Sequence, residues 1–186
     1  MVTFGSGDYE YAVVEGFFKR PRGWPFVEAA DVAVDKDDNV WLVERNECQI
    51  MKFTKDGELL FTLGTKGYRS DTGADNTDFS SNGWKDVTHG GDPFNLPAGI
   101  ALNDAGEIFI ADGYANARVH KFAADGKHLL SWGEPGDGPS EFHLPHGAWI
   151  DRRGRLLITD RENDRIQVFS QGGEHLTTWP TKLIGA

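Results

Sequence analysis

Short apolar runs alternate with tight polar turns along this chain, and the same order of runs and turns occurs three times. The three segments are "DVAVDKDDNVWLVERNECQIMKFTKDGELLFTLG" from Asp31, "GIALNDAGEIFIADGYANARVHKFAADGKHLLSWG" from Gly99 and "GAWIDRRGRLLITDRENDRIQVFSQGGEHLTTW" from Gly147. Each contains four runs of strand length, and helical periodicity is weak throughout. Each segment therefore predicts a four-stranded antiparallel sheet joined by tight turns.

The boundaries of the predicted strands fall at matching residues in the three segments. The second run ends in an acidic residue and the third closes on a phenylalanine. In chain order, these residues are Glu44, Asp112 and Asp160, and then Phe53, Phe122 and Phe169. The second runs are almost continuously apolar, which is typical of strands covered on both faces. Because one sheet cannot bury both of its own faces, we expect the sheets to stack radially as the blades of a β-propeller.

This organisation predicts a single all-β domain over residues 1–186. We expect an N-terminal strand and connector at 1–29, with "YEYAVVEGFF" as one outer strand, and blades at 30–65, 98–133 and 144–180. Residues 66–97 are rich in Gly, Asp, Ser and Asn, and we expect this long inter-blade loop to cross one face of the propeller. Loops of that length inside a compact domain are usually functional or mobile.

Composition narrows the classes of function. The formal net charge of −10 disfavours binding to nucleic acid or to an anionic membrane surface, since both require a basic face. Cys48 is the only cysteine, so an intrachain disulfide is excluded, and no histidine motif surrounds it to suggest a nucleophile. No signal peptide or apolar run of membrane length is visible, so a cytoplasmic location is the default expectation, and export after removal of a signal stays open.

The region from Phe94 to Phe169 resembles the NHL-repeat propellers. It is similar, more narrowly, to the lyases that cleave peptidyl-α-hydroxyglycine to a peptide amide and glyoxylate, and to their bacterial relatives. The motifs "DGYANAR", "LPHG" and "DREN" carry the resemblance, which covers most of the chain. It implies a six-bladed propeller with a metal near its axis. Three histidines from three blades hold that metal, and arginines and a tyrosine beside it bind and deprotonate the substrate.

The resemblance assigns roles to four residues of this sequence. Tyr114 in "DGY" matches the tyrosine that acts as the base on the substrate hydroxyl. Arg161 in "DREN" and Arg45 in "VERN" match arginines that face the same cavity and hold the substrate carboxylate. His146 in "LPHG" matches one of the three metal ligands, which implies zinc or another divalent metal there. A structural calcium ion is a further expectation.

The places where the first two repeats might offer an equivalent histidine carry alanine. Ala30 in "EAADVA" and Ala98 in "LPAGIA" occupy them, and the blade expected to bear the third histidine would lie beyond Ala186. Relative to the family, about one blade is missing internally and about two at the C-terminus. Three blades do not close a ring, so we expect two chains to assemble as three plus three blades, in a C2 homodimer with six blades.

Each candidate also has a purely structural explanation. His146 is better explained as a hydrogen-bonded histidine near the axis than as a metal ligand. Tyr114 is explained by a ring that covers the core with its hydroxyl in water. The two arginines are explained by ion pairs that bridge adjacent blades. We expect His89 and His143 to be exposed, and Asp112 and Asp160 to hold the turns that follow them.

Two classes of function remain, since motifs of phosphate-binding loops, nucleophile elbows and zinc proteases are lacking. The first is a binding or assembly module derived from a lyase scaffold, with a peptide or small carboxylate as ligand. The missing metal ligands favour it. The alternative is an active metal-dependent lyase that cleaves a carbinolamine C–N bond, with its site completed by dimerisation. The tyrosine and the two arginines keep that alternative open.

Overall fold

The computed structural model describes residues 2–24, 27–77 and 83–181. The predicted connector and the predicted long loop therefore include residues outside these ranges, 25–26 and 78–82. The strands, in chain order, are β1 (Thr3–Ser6), β2 (Tyr9–Ala12), β3 (Ala29–Val34), β4 (Val40–Glu44), β5 (Gln49–Phe53), β6 (Leu59–Leu63), β7 (Pro97–Leu102), β8 (Ile108–Asp112), β9 (Arg118–Phe122), β10 (His128–Trp132), β11 (Glu134–Pro135), β12 (Glu141–Phe142), β13 (Pro145–Ile150), β14 (Leu156–Asp160), β15 (Arg165–Phe169) and β16 (His175–Pro180).

Three four-stranded antiparallel sheets form the body of the molecule, as the repeats predict. Blade 1 consists of β3–β6, blade 2 of β7–β10 and blade 3 of β13–β16, each with its strands in sequence order. The first strand of blade 2, β7, packs against both β3 and β13, so the first strands lie side by side around a common axis. The all-β, propeller-type architecture is thereby confirmed. Two short 3₁₀ turns, Gly83–Asp86 and Arg161–Asn163, are the helical elements of the described residues.

The blades bury alternate residues of their strands against two different neighbours. In β8, Ile108 and Ile110 lie in the core shared with blade 1, whereas Phe109 lies in the core shared with blade 3. All three side chains are fully buried. Because successive side chains of a strand point to opposite faces, this single strand contributes to both inter-blade cores. The near-continuous apolar run "IFIA" thus follows from the position of blade 2 between two others.

The N-terminal segment differs from the single outer strand that the pattern predicted. It forms an exposed hairpin of β1 and β2, and residues further along then cross the outward face of blade 1. There Phe18 and Trp24 pack against Leu42, Met51 and Phe53. The face of blade 1 that points away from blade 2 is therefore covered by its own chain.

Tight turns with a shared chemistry connect the strands. After the first strand of each blade, one side-chain oxygen accepts the backbone N–H of the residue four positions later, at 2.8–3.0 Å. The three pairs are Asp35 with Asn39, Asn103 with Glu107 and Asp151 with Arg155. Between the third and fourth strands, each turn contains a glycine at φ of +83° to +87°, a conformation that side chains with a Cβ rarely adopt. These glycines are Gly57, Gly126 and Gly173.

The acidic residues at the ends of the second strands are buried and hold the backbone around them. One oxygen of Asp112 accepts the backbone N–H of Asn95 and the side-chain amide of Asn116, both at 2.8 Å. Asp160 likewise accepts the backbone N–H of His143 at 2.8 Å. The expectation that Asp112 and Asp160 hold the turns that follow them is confirmed, because they accept the side-chain amides of Asn116 and Asn163 at 2.8 Å. Both also fix the segment that leads into their blade. No helix within the described ranges has the length and apolar content needed to span a bilayer.

Candidate functional site

Tyr114 lies at the centre of a contact between all three blades. It follows β8 in a buried turn and is 8% exposed. Its hydroxyl lies 3.2 Å from Nε2 of His146 on β13 and 3.2 Å from Nη1 of Arg161, which follows β14. The guanidinium carbon of Arg45, which follows β4, lies 3.8 Å from the centre of the Tyr114 ring. The four residues that the resemblance singled out, drawn from three repeats, thus form one cluster.

The strand ends explain why these residues meet. Arg45 and Arg161 directly follow the acidic residues that end β4 and β14, and Tyr114 comes two residues after the end of β8. The second strands of stacked blades end at the same rim, so the residues after them converge there. Close packing brings His146 into reach, because a Cβ at Gly99 would collide with the backbone oxygen of His146. The sequence signal for this approach is the glycine in "PAGIA".

The strand register shows which positions of the three blades are equivalent. Ala29 pairs with Glu44, Pro97 with Asp112 and Pro145 with Asp160. The next residues along the first strands are Ala30, Ala98 and His146, which therefore occupy the same place in their blades. Only the third of these places carries an imidazole. The donor set of the three blades does not fit a zinc centre of three histidines, because two of the side chains are methyl groups.

The arginines have acidic partners within their own blades. Nη1 of Arg45 donates to Glu28 at 2.6 Å, and Nη2 of Arg161 lies 2.8 Å from Glu162. Both guanidinium groups nevertheless reach across a blade boundary, and the group that they contact there is Tyr114. The ion pairs expected to bridge adjacent blades are therefore not the contacts that these arginines make. Sequence reasoning missed Glu28, which has no motif around it.

The cluster favours a neutral imidazole. Burial, together with the positive charges of Arg161 and Arg45, lowers the pKa of His146 below its ordinary value. A neutral His146 can accept a hydrogen bond from the Tyr114 hydroxyl through Nε2. The Nε nitrogen of Arg45 is buried and has no hydrogen-bond partner among the described residues. An unpartnered buried donor beside a tyrosine that a second guanidinium also contacts is suited to an anionic ligand.

Three other candidates lie outside this cluster. His89 is exposed, as expected, whereas His143 is half-buried, with Nδ1 3.1 Å from the side-chain oxygen of Asn163. The exposure predicted for His143 is therefore wrong, because its ring contacts Asn163 and lies 5.6 Å from the ring of Trp84. Cys48 is buried, and desolvation raises the pKa of its thiol to about 12, which makes it a poor nucleophile.

A second group of side chains could hold a metal ion. Asp92, His120 and His128 offer ligand atoms that all lie within 4.8 Å of one another. Sequence reasoning missed this group, because its members lie 8 and 28 residues apart and match no metal-binding motif.

The sequence is similar to known NHL-repeat proteins. The NHL repeat family model matches residues 94–122 and 142–169. Peptidyl-alpha-hydroxyglycine alpha-amidating lyase 1 of Drosophila melanogaster is 31% identical over 193 residues, which cover 97% of this chain and 31% of that protein. NHL repeat-containing protein 3 of Homo sapiens is 35% identical over 133 residues, 70% of this chain and 34% of that protein. The chain spans about a third of the length of these relatives.

Solved structures share the architecture at lower sequence identity. Virginiamycin B lyase from Staphylococcus aureus superposes with a TM-score of 0.58 at 18% identity, over 88% of this chain and 45% of that one. The WD40 propeller domain of Doa1 gives 0.56 at 11% identity, over 84% of this chain and 42% of that one. At these identities the likeness establishes the propeller fold alone.

Proposed function

For this chain, an NHL-repeat β-propeller protein related to the peptidyl-α-hydroxyglycine α-amidating lyases, we propose a binding function. Its ligand is a peptide or small molecule with a carboxylate, held at the rim where Arg45, Tyr114, His146 and Arg161 meet. The observation that carries the proposal is the contact of two guanidinium groups with Tyr114. Arg161 reaches its hydroxyl, and Arg45, whose buried Nε has no partner among the described residues, lies over its ring. Guanidinium groups present paired donors that match the geometry of a carboxylate.

Among the described residues, the Tyr114 site lacks a complete set of zinc ligands, and this favours binding over catalysis. A catalytic zinc ion usually has three protein ligands and one open position, and alanine occupies two of the three equivalent places in this chain. A single imidazole holds a divalent ion weakly. His146 is already hydrogen-bonded to Tyr114, so it orients the tyrosine without needing a metal.

The test compares two peptides of one sequence ending in glycine, one with a free C-terminal carboxylate and one amidated. We expect the protein to bind the free acid, and Arg45→Gln and Arg161→Gln to weaken that binding roughly 10- to 100-fold. This range corresponds to the loss of charged hydrogen bonds worth about 1.5–3 kcal/mol. Arg152→Gln is the control, because Arg152 is an exposed arginine of blade 3, the blade that also carries Arg161. Equal binding of both peptides in calorimetry, or full affinity in both site variants, would contradict the proposal.

A lyase is the second candidate, favoured by the contact of the Tyr114 oxygen with the neutral His146. Once Tyr114 has passed its proton to Nε2, its oxygen could accept the hydroxyl proton of an N-acyl-α-hydroxyglycine. The carbonyl of glyoxylate forms as the C–N bond breaks, and the departing amide nitrogen takes that proton. The arginines would hold the carboxylate.

The release of glyoxylate separates the two functions. The binding proposal predicts no glyoxylate above background when the protein is incubated with an N-acyl-α-hydroxyglycine, with or without added Zn²⁺. Turnover that disappears in Tyr114→Phe, while Tyr68→Phe retains it, would establish the lyase instead. Tyr68 suits this control because its side chain is exposed.

A further inference from the structure

A cluster of two histidines and an aspartate lies in blade 2 and shares no residue with the Tyr114 site. Asp92 comes from the long segment between blades 1 and 2, His120 from the third strand of blade 2 and His128 from the start of its fourth. Nδ1 of His120 lies 3.2 Å from a carboxylate oxygen of Asp92. A tetrahedral zinc ion with Zn–N distances of about 2.0–2.1 Å requires ligand atoms roughly 3.3 Å apart. The 3.2 Å between Nδ1 of His120 and the Asp92 oxygen is already close to this separation.

His120 is oriented from behind by a second carboxylate. Its side chain is fully buried, and Nε2 lies 3.2 Å from Oδ2 of Asp112, which is also fully buried. An Nε2–H donated to Asp112 leaves Nδ1 directed at Asp92 and His128. Histidines that bind metals usually have their other ring nitrogen held by a carboxylate in this way. A metal ion would replace the proton that Nδ1 shares with Asp92.

The hydroxyl of Ser131 shows that both imidazoles point to one place. Its oxygen lies 2.9 Å from Nδ1 of His120 and 2.7 Å from Nε2 of His128. His128 is exposed, so a small rotation can bring its nitrogen within the range of the other two ligands. The hydroxyl or a water molecule can then occupy a fourth position.

The equivalent positions of blade 3 show that the fold does not require this cluster. Gln167 corresponds to His120, as they pair with Thr178 and Ser131 in the same register, and Ser140 corresponds to Asp92. There the Ser140 N–H donates to the Gln167 side chain at 3.0 Å, a neutral contact that holds the same segment to the blade. At the same two positions, blade 2 has His120 and Asp92, whose side chains are ionisable and can bind a metal.

One histidine of the group does have a counterpart in blade 3. His175 occupies the position of His128. Its Nε2 lies 2.9 Å from the Thr178 hydroxyl, and Nε2 of His128 lies 2.7 Å from the Ser131 hydroxyl. In blade 3 the position of His120 is occupied by Gln167 instead of a histidine. His175 is therefore a matched control.

We propose that Asp92, His120 and His128 bind one divalent transition-metal ion. Two imidazole nitrogens and one carboxylate oxygen form a donor set suited to Zn²⁺. The ion fastens the long segment that carries Asp92 to the third and fourth strands of blade 2. This site is independent of the carboxylate site proposed above.

The experiment titrates metal-depleted protein with Zn²⁺ in competition with a chromophoric chelator. We expect one equivalent to bind, and His128→Ala and Asp92→Asn each to raise the Kd by more than about 100-fold, since loss of an outer partner alone costs 10- to 100-fold. Both residues are exposed, so circular dichroism should show that the variants fold. The buried His120 is left unchanged.

The controls are His175→Ala and His146→Ala, both of which should keep the wild-type Kd. Co²⁺ bound to the wild type should give visible absorption bands that His128→Ala lacks. The proposal is overturned if the wild type binds no stoichiometric Zn²⁺, if His128→Ala binds it equally well, or if binding is lost in His146→Ala instead.

Discussion

At the scale of single residues, burial decides which polar groups of this protein can react. Tyr114 is almost fully buried, yet its hydroxyl contacts a neutral imidazole and a guanidinium. Cys48 is buried too, but the donor at its sulfur is the backbone N–H of Leu96 at 3.3 Å. The partners of Tyr114 can exchange a proton or bind an anion. Among the described residues, no imidazole or guanidinium contacts the thiol of Cys48.

The Cys48 thiol should therefore resist modification in the folded protein. At pH 8 we expect a disulfide-exchange reagent to label native Cys48 at least about 100-fold more slowly than the denatured chain, because the thiolate is both scarce and inaccessible. The rate of thiol release, followed by absorbance with and without denaturant, measures this. Equal rates in the two states would contradict the burial of Cys48.

The raised pKa of Cys48 also predicts how stability depends on pH. The unfolded chain loses its thiol proton near the ordinary value of 9.0, whereas the folded chain retains it to about 12. This contribution to stability is complete below pH 9 and is lost as the pH rises towards 12. In denaturant titrations, we expect the free energy of unfolding to fall more steeply over this range for the wild type than for Cys48→Ala.

At the scale of elements, the central blade carries two cores. Blade 2 packs against a neighbour on each face, so β8 is buried along its whole length. In blade 3 the alternation is visible instead, since Leu156 and Ile158 are fully buried while Thr159 is exposed. The difference reflects the number of neighbours and not the intrinsic preferences of the strands.

Truncation of a side chain in β8 should therefore cost far more than truncation at an exposed strand position. We expect Ile110→Ala to lower the free energy of unfolding by roughly 2–5 kcal/mol, because it leaves a cavity between blades 1 and 2. Leu60→Ala, at a half-exposed position of β6, should cost less than about 1 kcal/mol. Urea denaturation followed by tryptophan fluorescence measures both, and similar losses would contradict the two-core arrangement.

At the scale of the whole molecule, three blades leave apolar surface exposed. The side chains of Val32, Val34 and Trp149 on the first strands are 55%, 61% and 69% exposed. They line a groove of about 450 Å³ between the first strands of the three blades. A second groove, of about 690 Å³, lies on blade 3 and includes Ile166. The outward face of blade 1, in contrast, is covered by Phe18 and Trp24.

The homodimer expected from the sequence stays a prediction, and the structure makes it more specific. A ring of three plus three blades requires blade 3 of each chain to meet the outward face of blade 1 of the other. Phe18 and Trp24, which cover that face, would then lie in the interface. We expect light scattering after size exclusion to give twice the chain mass of 20.6 kDa. Ile166→Asp should shift the protein to the monomer without loss of β structure. A stable, well-folded wild-type monomer would rule out ring closure by two chains.

The strands, their order and the residues that end them were predictable because the causes are local. Alternation, turn glycines and the acidic residue after the second run all act within one repeat of about 35 residues. The N-terminal hairpin was not predictable as such, since an exposed segment carries no burial pattern. Tyr114, His146 and the two arginines were identified through the family resemblance, and their contacts with one another are a result of blade stacking.

The sequence by itself determined the blades, because each blade pairs strands that are close in sequence. Its hydrophobic pattern and its turn residues lie within one continuous segment of the chain. It also determined that alanine stands in blades 1 and 2 at the positions equivalent to His146. Only the tertiary structure decided that the arginines contact Tyr114, and that Asp92, His120 and His128 meet within 4.8 Å. Such distances depend on how sheets stack and where a long segment returns to the sheet, and no local pattern specifies either of these.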